Sequence, residues 1–375
     1  MTSADFLVVG AGISGAAAAY ELAPHGKVIV LEAESAPGYH STGRSAAIYT
    51  RHFGSPTVRA FNVASLPFLT APPAGFAENA LLTPRGALTI GKADQRREIE
   101  EQVALGAADG SIVELSQAEA LRHAPYLKPE AVAYAAYEEG VMDMDVAAIH
   151  QGFLRGLKAC GGTVVCDAGV TALDRRTGAW HASTRAGDFA APIVVNAAGA
   201  WADKVAALAG AESVGLVPKR RTAIIVDLPN GTDTRRWPAV DEAGYGCYCK
   251  PETGRVMASP ADATPVEPCD VQPEDLDVAI VADWLERSTH ISVRRIAQRW
   301  AGLRSFVADD GPVCGFDDPV DGFFWLCGQG GYGIMMASSL GRTTASLITR
   351  GELPADIAAA GVTPSDIGPE RTRRA

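Results

Sequence analysis

The chain has 375 residues, 47% of them apolar and 21% charged, with a formal net charge of −11. That length suits two domains and buries a core without disulfide or metal staples, and the composition is that of an ordinary globular protein. The acidic balance excludes a nucleic-acid or anionic-membrane surface as the main role, although a local pocket of arginines can still hold a small anion.

The seven cysteines are odd in number and scattered, which speaks against a disulfide framework. Cys247 and Cys249 would face one side of a strand; buried thiols of a reducing compartment are the main reading and a zinc pair the lesser one. No run reaches the ~18 apolar residues that span a bilayer. The apolar stretch at 6–19 lacks the basic flank of a signal peptide, so a cytoplasmic protein is expected.

Residues 5–32 form the clearest unit. Phe6-Leu7-Val8-Val9 is a continuous apolar run, as a strand buried on both faces requires. Gly10-Ala11-Gly12-Ile13-Ser14-Gly15 follows, then an Ala-rich helical stretch to Leu22, then a second strand at 27–31 ending on Glu32. This is the βαβ dinucleotide signature with its acid in place. Gly10 allows the tight turn, Gly12 close approach of backbone amides to a pyrophosphate, and Gly15 helix–strand packing. The helix N-terminus stabilises the phosphate charge, and Glu32 can accept hydrogen bonds from ribose hydroxyls.

Farther on, Ser116-Gln117-Ala118-Glu119 is a capping box that opens a short helix. Asp145 caps another helix, which stops at Gly161-Gly162. Residues 164–166, 180–184 and 193–195 read as strands, and 217–226 and 256–259 as parts of an antiparallel sheet. Residues 323–327 form a buried strand running into Gly328-Gln329-Gly330-Gly331-Tyr332-Gly333 and a helix to about Arg350. The tail from Pro364 lacks apolar periodicity and is expected to be disordered.

The segment Pro37-Gly38-Tyr39-His40-Ser41-Thr42-Gly43-Arg44-Ser45-Ala46-Ala47 resembles the flavin-contacting loop of the D-amino-acid oxidase, glycine oxidase and sarcosine oxidase superfamily. Three more segments agree: 195–201, ending Gly199-Ala200-Trp201; Trp300-Ala301-Gly302-Leu303-Arg304; and the C-terminal glycine loop. Within the superfamily, residues 5–350 look most similar to the bacterial D-arginine dehydrogenases. The resemblance implies an α/β protein with a Rossmann-like FAD domain and a second domain built on a mixed or antiparallel sheet. The FAD domain would be assembled from 1–80, 140–203 and 305–375, and the substrate domain from 81–139 and 204–304. It further implies non-covalent FAD held by Gly10, Gly12, Ile13, Ser14, Gly15 and Glu32. The loop residues Ser41, Thr42, Gly43, Arg44, Ser45 and Ala46 would join them, with Val170 meeting the adenine and Gly199 and Trp201 beside it. Gly330, Tyr332, Gly333 and Ile334 fall on the flavin side of the last loop, and Gly331 on the substrate side. Arg44 stabilises the pyrophosphate or caps local backbone, and His40 orders the loop. His52 is placed on a short helix after it, as a surface residue or, as the lesser reading, one that reaches the active site.

Oxidation of an amino acid by a flavin requires the α-hydrogen to face the ring, a neutral amine and a clamped carboxylate. Arginine suits the clamp because its planar fork binds a carboxylate through two charge-assisted hydrogen bonds. By resemblance the clamp is Arg221 and Arg304, with the Tyr248 hydroxyl as a third donor. Strand alternation turns Arg220 to the opposite face, expected to be the surface.

The side-chain pocket departs from the D-arginine dehydrogenases: Ala87 stands where they carry an acid, and Ile48 and Phe53 where they carry a polar His and Tyr. Neutral or hydrophobic D-amino acids are therefore expected over D-arginine, unless Asp241 or Glu242, just before Tyr248, replaces the missing acid. The expected product is an imino acid that hydrolyses to a 2-oxo acid and ammonia, with an electron acceptor such as oxygen or a quinone left open. Competing readings are a 2-hydroxy-acid or glycine/sarcosine-type amine oxidoreductase on the same fold, and a non-catalytic flavoprotein partner. The first would need a base beside a hydroxyl, and none is identified. No metal is expected.

Overall fold

The computed structural model describes residues 1–244 and 246–373. The apolar run Phe6–Val9 is a strand buried along its whole length, flanked in parallel by Val28–Leu31 and Ile193–Asn196. Around these three grows a six-stranded sheet, completed by Thr163–Val165 at one edge and by Phe323–Cys327 and Val313–Phe316 at the other. Only the last pair is antiparallel. Helices cover both faces of a sheet of this kind, so its strands carry apolar residues without alternation.

Helix Ile13–Leu22 packs against the late helix Gly333–Arg350 so closely that a Cβ on Gly341 would lie 2.9 Å from the Ala17 backbone. The first and last thirds of the chain thus share one core. A four-stranded sheet, Thr2–Ser3, Gly187–Ala191, Ala179–Thr184 and Val170–Arg176, stands beside it.

The second large sheet has eight strands. In spatial order they are Ile296–Phe306, Val217–Asp227, Arg255–Ser259, Tyr248–Glu252, Ala239–Glu242, Ala87–Gly91, Tyr134–Glu138 and Ile112–Leu115. One parallel contact, Ala239–Glu242 against Ala87–Gly91, joins two otherwise antiparallel groups. One face carries Leu88, Ile90, Ile224, Val226, Cys249 and Val256, packed in a core with Val281, Trp284 and Leu285 of helix Asp275–Ser288. The opposite face carries the site.

The expected caps are present. Ser116 and Glu119 form a reciprocal capping box on Gln117–His123, and Asp145 accepts from the Ala148 amide at the start of Val146–Ala159. Cys247 and Cys249 are both buried in the same core. Three expectations are corrected. The tail is ordered through Arg373: Pro364–Ile367 and Glu370–Arg373 are helical and Ile367 is fully buried. Arg373 pairs with buried Asp317 at 2.5 Å, and Arg371 with Asp309 at 2.8 Å, so charge pairing anchors a segment without apolar periodicity. Arg374, also counted in the tail, lies outside the described residues. His52 is in a bend, not a helix, and its ring is largely covered. Arg220 is only 5% exposed, held by Asp262, Asp277 and Glu274. The acids that make this burial tolerable lie more than 40 residues away, on the loop at 262 and the helix after it, where strand alternation cannot see them. Among the described residues no helix is long and apolar enough to cross a membrane.

Candidate active site

A cavity of about 670 Å³ runs from the glycine turn after the first strand to the open face of the eight-stranded sheet. Gly10, with φ +101°, cannot carry a side chain, because its Cβ would sit 2.4 Å from the Ala197 carbonyl. A Cβ on Gly15 would lie 1.9 Å from the Gly10 carbonyl. These close approaches bring the backbone to the cavity wall. Helix Ile13–Leu22 starts there without a side-chain cap, although the Ile13 amide donates to Thr42 Oγ1 at 3.0 Å. An uncapped helix start favours an anion. Glu32 is buried and tied by the Ala11 amide at 2.8 Å and the Glu34 amide at 3.0 Å. Its carboxylate retains acceptor capacity beyond these two bonds, and the residue borders the cavity, as ribose recognition requires.

The loop at 37–47 closes this cavity by gripping the far sheet. Ser41 Oγ donates to the Leu303 carbonyl at 2.7 Å, and Trp300 Nε1 to the Arg44 carbonyl at 3.0 Å. The Arg44 guanidinium reaches Asp270 at 2.5 Å and the carbonyls of Val271 and Ala301, while the residue itself borders the cavity. It ties the loop to backbone at 271 and 301 while also bordering the cavity, so both the pyrophosphate and the local-backbone readings stay open. His40 is held by Glu34 at 2.8 Å and packs on Trp201.

At the sheet end, Arg221, Tyr248 and Arg304 converge. Residues facing each other across a ladder share a face, and successive residues alternate. Arg304 stands opposite Lys219 and Gly302 opposite Arg221, which places Arg304 and Arg221 on one face. Tyr248 joins them from the fourth strand, where it faces Ser259. Arg304 Nη2 lies 3.4 Å from Tyr248 Oη, and Arg221 Nε donates to the Asp262 carbonyl at 2.7 Å. Burial lowers the Arg221 pKa, and the neighbouring Arg304 charge lowers it further. For Tyr248 burial pushes the phenol up, yet Arg304, Arg221 and hydrogen bonds to Ser259 and Arg221 outweigh it, so the pKa falls. Two guanidiniums and a phenol crowd one spot with no carboxylate paired to either arginine among the described residues. An anion placed there relieves the repulsion and gains three donors.

Of the other expected residues, Gly12, Ser14, Ser45, Ala46, Val170, Gly199, Trp201, Gly330, Gly331, Gly333 and Ile334 border the cavity. Gly15 and Gly43 act by packing: a Cβ on Gly43 would meet the Gly38 carbonyl at 2.7 Å. Gly331 lets Arg304 lie against the last loop, its Cβ position being 3.0 Å from Arg304 Nη1. Tyr332 stacks edge-on with Phe53 at 5.0 Å. Ile48 lies in the short strand Ile48–Tyr49, and Ala87 opposite Glu138; neither they nor Phe53 border the cavity. Sequence reasoning missed Asp262, which accepts from the Thr222 amide at 2.6 Å and positions Arg221 through its carbonyl. It also missed Asp270 as the anchor of Arg44. Neither sits in a motif that would have marked it.

The chain matches the DAO family, FAD dependent oxidoreductase, over residues 5–347. It is 29% identical to glycine oxidase of Geobacillus kaustophilus over 253 residues, 65% of this chain and 63% of that protein. Mouse (Mus musculus) mitochondrial sarcosine dehydrogenase is 26% identical over 72% of this chain and 31% of its own length. A Xenopus laevis FAD-dependent oxidoreductase domain-containing protein is 29% identical over 42% of this chain and 35% of its own length. The matched stretches thus span between about a third and two thirds of these relatives. Among solved structures, G. kaustophilus glycine oxidase superimposes with a TM-score of 0.81 at 23% identity, covering 97% of this chain and 99% of that one. L-Proline dehydrogenase from P. horikoshii gives 0.83 at 20% identity, covering 100% and 98%. L-α-Glycerophosphate oxidase of Mycoplasma pneumoniae with FAD bound gives 0.83 at 19% identity, covering 94% and 96%. The uncapped helix start, the glycine turn, the buried acid and the match along nearly the whole chain agree: the chain belongs to the FAD dependent oxidoreductase family and uses FAD.

Proposed function

We propose that this protein oxidises the Cα–N bond of a D-amino acid, giving an imino acid that hydrolyses to a 2-oxo acid and ammonia. The observation that carries the reading is the half-buried trio Arg221, Arg304 and Tyr248 at the sheet end of the cofactor cavity, with no carboxylate paired to either arginine among the described residues. Bound FAD would supply the hydride acceptor. The residues lining the rest of the cavity, Gly12, Ser14, Glu32 and the loop at 41–46, would hold it without a covalent bond, since no cysteine borders the cavity among the described residues.

The chain's own groups supply binding and orientation. The two arginines and Tyr248 fix the carboxylate, which leaves the Cα–H bond one accessible direction. Gly331 keeps the approach to Arg304 clear. The raised positive potential also favours the neutral amine over the ammonium, so the lone pair is available when the hydride leaves. Relatives named for glycine, sarcosine and proline chemistry support amine oxidation over 2-hydroxy-acid oxidation.

Anaerobic mixing of the yellow protein with matched D- and L-amino acids and with D- and L-2-hydroxy acids tests the reading. The flavin absorbance should bleach with D-amino acids and persist with the others. Bleaching by an L-amino acid alone would reverse the stereochemistry, and bleaching by a hydroxy acid alone would replace the reaction class.

A further inference from the structure

The clamp face of the eight-stranded sheet continues past Tyr248. Asp241 faces Tyr248 directly across the ladder, and Thr89 faces Asp241 on the next strand, so all three share the clamp's side. Glu242, one residue on, turns to the other side, where it accepts from Trp284 Nε1 at 2.7 Å and pairs with Lys92. Of the two acids near Tyr248, Asp241 alone stands beside the clamp.

Asp241 is unusual in its partners. Its only side-chain hydrogen bond is from Thr89 Oγ1, long at 3.2 Å, and no cation pairs with it among the described residues. Lys250 lies on the same face but is engaged by Asp143 at 3.4 Å and Glu252 at 3.0 Å. Glu138, opposite Ala87 and also on this face, accepts from Thr50 at 2.7 Å and has no lysine or arginine paired with it among the described residues. His52, 4.0 Å away, has its pKa lowered by burial and then by Arg51. A buried carboxyl without a partner is costly, and burial pushes Asp241 up to about 6. Asp241 does not border the cofactor cavity itself, yet the residue keeps partial exposure, so it is not sealed inside packed protein.

We propose that Asp241, with Thr89, is a specificity-determining residue that receives a hydrogen-bond donor, O–H or N–H, on the side chain of the amino acid clamped by Arg221, Arg304 and Tyr248. The inference rests on the clamp reading above and replaces the hydrocarbon preference expected from Ala87, Ile48 and Phe53. Without an acid at position 87, the long guanidinium side chain lacks its partner there. A shorter side chain, reaching one strand past Tyr248, meets Asp241 instead. A site built around a buried acceptor discriminates strongly against an analogue lacking the donor, because the acceptor is left unpaired.

Isosteric pairs separate the donor from size: D-asparagine against D-leucine, and D-threonine against D-valine, compared by flavin reduction in the holoenzyme. Each pair is also titrated as ligands of the oxidised protein, through perturbation of the flavin spectrum. We expect the donor-bearing member to be preferred at least about 10-fold in each pair, and Asp241→Val to abolish or invert that preference. Asp241→Asn, which keeps an acceptor, should retain part of it. Equal or better use of the hydrocarbon member by the unmodified protein overturns the proposal, as does an unchanged preference in Asp241→Val. If no pair reduces the flavin but the donor-bearing ligands still bind better, the oxidation reading fails and recognition by Asp241 stands.

Discussion

Two arginines brought together in a half-buried place, with no carboxylate paired to either among the described residues, cost stability. Asp241 is the same kind of residue with the opposite sign, and its cost can be measured. Its carboxyl, ordinarily at 3.8, is pushed up to about 6 by burial. Well below 3.8 it is protonated in both states and contributes nothing. As pH rises through that window the unfolded chain releases the proton while the folded one retains it, so stability falls, and above pH 6 the full penalty is present. Asp241→Asn should therefore melt higher than the unmodified protein at pH 8 and nearly level with it at pH 4. A gain of equal size at both pH values would trace the effect to packing and not to ionisation. That Arg221 and Arg220 turn to opposite faces was legible from strand alternation; the burial of Arg220 was not, since its acid partners come from the loop at 262 and the helix after it.

Elements were legible where one local signal decides them. The four-residue apolar run, the glycine turn and the acid at position 32 suffice for the first βαβ unit, because that turn's geometry is satisfied within about 30 residues. The capping box at 116 and the cap at 145 are likewise local. The C-terminal segment was not legible, because its order comes from ion pairs and one buried isoleucine instead of periodicity. That difference predicts its own test. Asp317 is fully buried and accepts from Trp325 Nε1 at 2.9 Å as well as pairing with Arg373. Removing one partner of such a pair costs roughly 3–5 kcal/mol. Arg373→Met should lower the melting temperature by several degrees without loss of FAD, read by thermal denaturation of the holoprotein. A melting temperature equal to that of the unmodified protein would leave the tail as a passive cover.

At the scale of the whole molecule, the site exists because the glycine turn that follows the first strand and one face of the eight-stranded sheet border the same cavity. The loop at 37–47 leaves the first βαβ unit, borders the cavity and bonds to Ala301 and Leu303 on the strand that carries Arg304. The last glycine loop comes back from the other end of the chain to lie against the same arginine. Cofactor-cavity residues and the Arg221–Tyr248–Arg304 cluster are thereby set in one frame, which is what the proposed hydride transfer would need from a protein. No single stretch of sequence displays this convergence: residues 44, 221, 248, 304 and 331 meet only after the parallel and antiparallel sheets have formed.

The claim that most depends on this frame is that Arg304 holds the substrate carboxylate. The direct measurement is the reductive half-reaction of Arg304→Met with the best D-amino acid, alongside the FAD content of the purified variant. Loss of one charge-assisted contact costs about 2–3 kcal/mol, so catalytic efficiency should fall by about 10² while FAD remains bound at the unmodified level. An efficiency equal to that of the unmodified protein, with FAD fully bound, would contradict the clamp and the account built on it.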